Sequence, residues 1–266
     1  MIDLVVAGAA GRMGGRIIAL ARESADLRVA AALERAGHPA LGRDAGETAG
    51  AGTLGVPVTA DPAAALIRDR VLVEFTAPEA TIEHLRIAAA QGARAVIGTT
   101  GLGGAQVEEL KALARRTAVV FSPNMSVGVN LAFRLLALMA RALGDEYDVE
   151  ITEIHHRLKK DAPSGTAAKM AEVIAEALGR DLGEVGVYGR HGIVGERGPK
   201  EIGVHALRGG DIAGEHTVVF STLGERLELT HRAHSRDTFA RGALRAIRFV
   251  AGAPPGLYSM HDVLSI

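Results

Sequence analysis

His155, His156, Arg157, Lys159, Lys160 and Asp161 form one dense run of titratable groups. Histidine is the side chain best matched to giving or taking a proton near neutral pH. Immediately downstream, Ala162-Pro163-Ser164-Gly165-Thr166 leads into an apolar helical run, Ala167 to Leu178. Ser164 or Thr166 suits the N-cap of that helix. A helix start offers unpaired backbone N–H groups and a partial positive charge, and so holds an anion. With cations just upstream, the same place attracts a carboxylate. The chemistry this suggests is binding of an acidic substrate with delivery of a proton. The competing reading is a solvated turn ahead of a capped helix. A metal site is not expected: the chain has no cysteine, adjacent histidines diverge rather than chelate, and no carboxylate pattern completes a zinc set.

A second set of residues lies at the N-terminus. Ile2 to Ala7 is an almost wholly apolar run, as expected of a central parallel strand covered on both faces. It runs into Gly8-Ala9-Ala10-Gly11-Arg12-Met13-Gly14, and then into an apolar-periodic segment with Ile17, Ile18 and Ala21. Strand, glycine turn and helix in that order suit a pyrophosphate, although the spacing is G-x-x-G-x-x-G rather than G-x-G-x-x-G. Glu34 ends the next strand, about 20 residues past the last glycine, where a dinucleotide fold places an acid against the ribose hydroxyls. The adjacent Arg35 could instead meet a 2′-phosphate, so NADH and NADPH both remain open. Gly98-Thr99-Thr100-Gly101 and Ser122-Pro123-Asn124-Met125 each follow a short apolar strand, where an open α/β sheet keeps its ligand crevice.

The elements that position these groups are read from periodicity. Strands are expected at Leu27 to Leu33, Val71 to Phe75, Ala93 to Ile97 and Ala118 to Phe121, with helices at Glu79 to Gln91 and Gln106 to Arg116. That alternation implies a right-handed, doubly wound parallel sheet of Rossmann type. Gly37 to Gly55 reads as a mobile loop. Beyond Ser126 the texture changes. A helix, Val127 to Leu143, precedes a strand whose apolar positions are Val149, Ile151 and Ile154. The Gly-rich loop Gly179 to Gly198 carries Arg190 and His191, and the runs Glu201 to Arg208, Glu215 to Leu223 and Arg226 to Arg232 follow without intervening helices. These imply a second α+β domain with a mixed or antiparallel sheet. A final helix, Ser235 to Ala251, and a tail through Ser259 to Leu264 are expected to return to the first domain.

The chain has 266 residues, with 30 Lys+Arg against 31 Asp+Glu, a balance that argues against a general nucleic-acid binder. The longest apolar stretch, Val127 to Ala140, is short and holds Arg134, and Asp3 takes the place of a basic leader. Neither a membrane span nor a signal peptide is expected, and the lack of cysteine fits a reducing compartment, hence a cytoplasmic protein.

From end to end the sequence resembles the dihydrodipicolinate (4-hydroxy-tetrahydrodipicolinate) reductase family of lysine biosynthesis. The glycine turn at Gly8 to Gly14, Gly98-Thr99-Thr100-Gly101, and Ser122-Pro123-Asn124-Met125-Ser126-Val127-Gly128 are similar to its cofactor loops. The most specific motif is Glu150-x-x-Glu153-x-His155-x-x-x-Lys159-x-Asp161-Ala162-Pro163-Ser164-Gly165-Thr166-Ala167, and Gly210-Asp211-Ile212-x-Gly214-Glu215-His216 adds a further match. The resemblance implies that His155 is the catalytic acid/base and Lys159 a proton donor. It implies that His156, Gly165 and Thr166 bind substrate carboxylates. Gly8, Ala9, Ala10, Gly11, Arg12, Met13, Glu34, Arg35, Gly98, Thr99, Thr100, Ser122, Pro123, Asn124 and Met125 would bind NADH or NADPH. It also implies a homotetramer built through the second domain's sheet. Residues 1–126 with 241–266 would then be the dinucleotide-binding domain, and 127–240 the domain for substrate binding and oligomerisation. Departures from the family pattern are small: Leu102 stands where an aromatic is common, Glu74 where Asp is common before Phe-Thr, and Leu158 where a third His is frequent.

The implied reaction is hydride transfer to a conjugated C=C/C=N system in a cyclic dicarboxylate, with a proton delivered as charge develops toward the ring nitrogen. Crevice closure between the two domains is expected, because cofactor and substrate groups lie on different segments. Two rivals are an amino-acid dehydrogenase acting on aspartate and a non-catalytic NAD(H) sensor. The first should lack the Lys-x-Asp-Ala-Pro-Ser-Gly-Thr run. The second should carry an interaction or DNA-reading module, and none is visible.

Overall fold

In the computed structural model, which describes residues 1–266, the first half of the chain alternates strand and helix. β1 (Ile2–Ala7), α1 (Arg12–Arg22), β2 (Leu27–Leu33), α2 (Ala45–Thr48), β3 (Val58–Thr59), α3 (Pro62–Ala65), β4 (Val71–Glu74), α4 (Pro78–Gln91), β5 (Arg94–Ile97), α5 (Gly104–Ala114) and β6 (Ala118–Phe121) succeed one another. After α6 (Val127–Leu143) come β7 (Asp148–His155), α7 (Gly165–Ala177), α8 (Leu182–Val185), β8 (Gly186–Val187), β9 (Ile202–Arg208), β10 (Gly214–Thr222) and β11 (Glu225–Ala233). The chain ends with α9 (Asp237–Val250), β12 (Gly256–Tyr258) and α10 (Met260–Leu264). Two compact units result: Met1–Val127 with Asp237–Ile266, and Gly128–Arg236.

The first unit is a seven-stranded parallel sheet in the order β12-β6-β5-β4-β1-β2-β3. Read from β3, its first six strands follow the 3-2-1-4-5-6 order of a dinucleotide fold. Leu4 and Val6 on β1 face a cluster with Ile17 and Ile18 of α1 and Ala243 and Ile247 of α9. Val5 and Ala7 face the opposite cluster, with Leu85 of α4 and Leu110 of α5. Burial on both faces is what an unbroken apolar run dictates, and each Val, Leu or Ile so buried contributes about 1.5–3 kcal/mol. α4 starts with Pro78 in its first turn and stops at Gly92, whose φ is 79°.

The stretch Gly37 to Gly55 is more ordered than a mobile loop. The Asp44 carboxylate accepts backbone N–H bonds from Gly46, Glu47, Leu54, Gly55 and Val56 at 2.7–3.1 Å. It caps α2 and folds the rest of the loop around itself. The Leu54 donor first, then those of Glu47, Gly55 and Gly46, hold its carboxyl below the ordinary value against the opposing effect of burial. Asp44→Ala is expected to speed amide exchange at Leu54, Gly55 and Val56. Unchanged protection there would show that other contacts order the loop.

The second unit holds a five-stranded mixed sheet, β11-β10-β7-β9-β8. β7 runs parallel to β9 and antiparallel to β10, which pairs antiparallel with β11. Side chains of α6 and α7 (Val129, Phe133, Leu136, Met170, Ile174) cover one face over Val149, Ile151, Val218 and Phe220. The helix Val127–Glu146 is long and apolar enough to cross a membrane by length and composition. That goes beyond the sequence estimate of a short apolar stretch, yet five of its residues (Val129, Ala132, Phe133, Leu136, Ala140) lie in this core.

Candidate active site

β7 alternates cleanly, but not as its apolar residues suggest. Val149, Ile151, Glu153 and His155 are buried, and Ile154 lies on the other face. The helix-covered face of the strand thus ends in two titratable side chains. Glu150, on the opposite face, is held instead by Arg190, Arg197 and His205. The Glu153 carboxylate is wholly buried. Its Oε2 meets His155 Nδ1 at 2.6 Å and Arg208 Nη1 at 2.8 Å. Its Oε1 accepts from Arg208 Nη2 at 2.9 Å and from the Ser164 backbone N–H at 3.0 Å. Burial alone would raise this carboxyl, but the Arg208, His155 and Ser164 bonds outweigh it and hold it below the ordinary value.

Parallel pairing sets Arg208 on β9 opposite His155, and antiparallel pairing sets His216 on β10 opposite Glu153. The His216 ring stands edge-on to His155 at 5.2 Å, and its Nε2 meets the Ser164 hydroxyl at 3.1 Å. Ser164, not Thr166, is the N-cap of α7, with its Oγ accepting the Ala167 N–H at 3.2 Å. Gly165 and Thr166 therefore form the first turn of that helix. Between β7 and α7 the chain turns tightly. The Lys159 N–H donates to the His156 carbonyl, and the His156 and Arg157 N–H groups donate to Ile212 and Gly210. Lys159 Nζ pairs with Asp161 at 2.9 Å. His155, His156, Lys159, Gly165 and Thr166 all belong to this one unit.

His216 carries a pH consequence. Burial, followed by the neighbouring His155 and His231, lowers its pKa from 6.5 to about 4, with Glu153 opposing and Lys159 reinforcing. Between those values the unfolded chain takes up a proton that the folded chain refuses. The stability that neutral His216 contributes is therefore complete above about pH 6.5 and falls as pH drops toward 4, approaching about 3 kcal/mol. Urea midpoints measured at both ends of that window should move closer together in His216→Asn than in the parent. An unchanged gap would remove His216 as the cause.

In the first unit the glycine turn explains its own spacing. Gly8 has φ 64°, and a Cβ on Gly14 would lie 2.2 Å from the Gly8 carbonyl oxygen, so only glycine at 14 lets the start of α1 come this close to the turn. Helix α1 begins at Arg12 with no side-chain cap and no acid in its first turn. Its first amides therefore offer a place to a pyrophosphate, and the residues present fit a dinucleotide. Glu34 sits at this turn, where its Oε1 accepts the Ala10 N–H at 3.0 Å. Arg35 beside it is exposed.

The other strand ends of this unit are built more tightly than their sequences suggest. Thr99 is buried: its hydroxyl accepts the Thr76 N–H at 3.1 Å and bonds Thr81 at 2.8 Å, so Thr100 is the exposed hydroxyl of the pair. Gly98 lies against the Phe75 ring. Ser122 bonds the Asn124 carbonyl, Asn124 accepts the Ser126 N–H, Pro123 is exposed, and Met125 is core. Glu74, at the end of β4, is wholly buried with His84 at 2.7 Å and the Thr76 hydroxyl as partners.

Comparison with known proteins agrees with both units. A family model described as dihydrodipicolinate reductase, N-terminus, matches residues 2–125, and one described as dihydrodipicolinate reductase, C-terminus, matches residues 128–264. A 4-hydroxy-tetrahydrodipicolinate reductase of Syntrophus aciditrophicus (strain SB) is 52% identical over 264 residues, covering 99% of this chain and 98% of the relative. One from Anaeromyxobacter dehalogenans (strain 2CP-1 / ATCC BAA-258) is 54% identical over 266 residues, covering 100% and 98%. Among solved structures, a dipicolinate-bound dihydrodipicolinate reductase from Paenisporosarcina sp. TG-14 is similar at TM-score 0.79 and 25% identity over 98% of each chain. An amine dehydrogenase from Mycobacterium smegmatis shares the fold at TM-score 0.61 and 17% identity, over 97% of this chain and 95% of that one. Fold and relatives together define an NAD(P)H-dependent oxidoreductase. The chain belongs to the dihydrodipicolinate reductase family.

Proposed function

We propose that this chain converts 4-hydroxy-tetrahydrodipicolinate, the hydrated form of dihydrodipicolinate, to tetrahydrodipicolinate and water, with NADH or NADPH as reductant: the hydroxyl leaves as water to give the conjugated ring, which then takes up the hydride and one proton. The observation that supports this most is the clustering of His155, Lys159 and the start of α7 around the end of β7, beside a fully satisfied buried carboxylate. The nicotinamide supplies the hydride, and residues of this chain do the rest. The glycine turn from Gly8 to Met13 receives the pyrophosphate, and Glu34 or Arg35 meets the ribose. Gly98 to Thr100 and Ser122 to Met125 lie on the nicotinamide side. In the second unit, His156, Lys160, Gly165 and Thr166 bind the two substrate carboxylates. Lys159 exchanges Asp161 for one of them and adds its positive charge as negative charge develops on the ring. His155 delivers the proton.

In this reading residues 1–126 and 241–266 serve the nucleotide, while 127–240 serve substrate binding and oligomerisation. The active form is a cytoplasmic homotetramer. The test is NAD(P)H oxidation in the presence of the dihydrodipicolinate precursor mixture, pyruvate and aspartate semialdehyde with their condensing enzyme. Oxidation that requires the complete mixture supports the proposal. No oxidation with either cofactor, by folded protein that binds them, would overturn it.

A further inference from the structure

A histidine with two ring nitrogens can pass a proton through either, and the surroundings of His155 choose between them. The Glu153 carboxylate receives four donors: two from Arg208, one from the Ser164 backbone and one from His155 Nδ1. Four is about the full acceptor capacity of a carboxylate, and only its ionised form accepts everywhere. Arg208 and the Ser164 amide have no choice but to donate. His155 Nδ1 must therefore carry a hydrogen as well, whatever the charge on the ring. The remaining nitrogen, Nε2, faces Gly214. A Cβ at that residue would come within 2.8 Å of Nε2, and φ there is 155°. Glycine at 214 thus leaves the Nε2 edge clear.

We propose that Glu153, clamped by Arg208, is a positioning residue that fixes the Nδ1–H form of His155 and leaves Nε2, over Gly214, as its only proton-transferring atom. The assignment rests on the reading of His155 as the acid of this site and names the atom that acts. In the step itself the Nε2–H bond breaks, its electron pair stays on the ring, and the proton forms the new bond on the reduced substrate. The imidazolium becomes neutral imidazole with Nδ1–H still on Glu153. The charged and titratable groups around the ring are Glu153 on β7, Arg208 on β9, His216 on β10, His231 beyond it on β11, and the Lys159–Asp161 pair of the following turn. Of the two neighbouring imidazoles, His216 is the one in direct ring contact. Its burial keeps it neutral down to about pH 4, so it adds no second cation beside His155.

Nitrogen-15 NMR of the histidine rings in the full chain tests the assignment without substrate. The expected result is one His155 nitrogen that stays protonated through the titration, coupled to the Glu153 side, while the other gains and loses its proton. A neutral His155 with its hydrogen on Nε2 would overturn the proposal even if the protein reduces the proposed substrate. Glu153→Gln removes the anion but keeps the shape. We expect kcat to fall at least about tenfold, within the ~10²–10⁴-fold that an acid contributes. Glu153→Asp, which keeps the charge, should restore part of kcat and the Nδ1–H signal of His155, while KM for NADH stays parental in both variants. A Glu153→Gln protein in which His155 still shows the Nδ1–H form would mark Glu153 as merely structural and overturn its positioning role. Gly214→Ala sets a methyl against the Nε2 edge of His155 and should lower kcat/KM for the diacid while NADH binding persists. Unchanged turnover in that variant would exclude Nε2 as the acting atom.

Discussion

His155→Ala is expected to lower kcat by about 10²–10⁴-fold, the range that a positioned general acid supplies. The effect should fall on turnover and not on binding. His155 ends a strand in the second unit, whereas the glycine turn, Glu34 and the strand ends proposed for the nucleotide belong to the first. NADH affinity measured without the diacid should therefore stay within experimental scatter of the parent, and KM for the diacid should change little. The fold should also survive, because truncating His155 removes only one of four donors to Glu153 and leaves Arg208 paired. Steady-state kinetics beside a fluorescence titration with NADH separates the two quantities. A variant turning over at near the parental rate would take His155 out of the proton step.

Gly14→Ala is expected to act in the opposite way, on cofactor affinity. The added methyl would sit 2.2 Å from the Gly8 carbonyl oxygen and 2.9 Å from the Ala9 Cα, both backbone atoms that cannot swing aside. Relief requires α1 to move off β1, and overpacking of this kind costs about 1–3 kcal/mol. Spread over the turn that cradles the pyrophosphate, that strain should weaken NADH binding about 5–150-fold. Substrate-analogue binding to the second unit should be untouched. Unaltered NADH affinity would mean that the turn does not hold the nucleotide.

The parallel sheet was legible because its signal is local. Val71 to Glu74 and Ala118 to Phe121 are short apolar runs closed by turn residues, and strands buried on both faces can be little else. Where the physics is non-local, the sequence alone misleads. Ile154 looks like the next core position after Ile151, yet strict alternation sends Glu153 and His155 inward instead. A buried glutamate is stable only with its partners, and the clamp, Arg208, lies 55 residues away on a neighbouring strand. His216 was visible only as part of a family motif, because its contact with Ser164 spans the β7–β10 pairing.

Asp44 shows a similar failure at shorter range. Gly37 to Gly55 has the composition of a flexible loop, and one carboxylate with five backbone donors overrides it. β12 is not legible in the sequence, because three residues after Pro254-Pro255 carry almost no periodicity and pairing with β6 alone defines them. His155, Lys159, Gly165 and Thr166 fall within one unit, as their closeness in sequence implies. The clamp on Glu153 by Arg208 and the approach of Gly214 to His155 depend on strand pairing and have no local signal.

A crystal structure of the protein with NADH and pyridine-2,6-dicarboxylate bound together tests the central claim most directly. The account predicts the diacid in the second unit, with one carboxylate at the first turn of α7 and Lys159 turned from Asp161 toward it. His155 Nε2 should lie within about 3.5 Å of the ring, on the far side from Glu153. A diacid bound elsewhere, or an imidazole presenting Nδ1 to it with Glu153 released, would contradict the account.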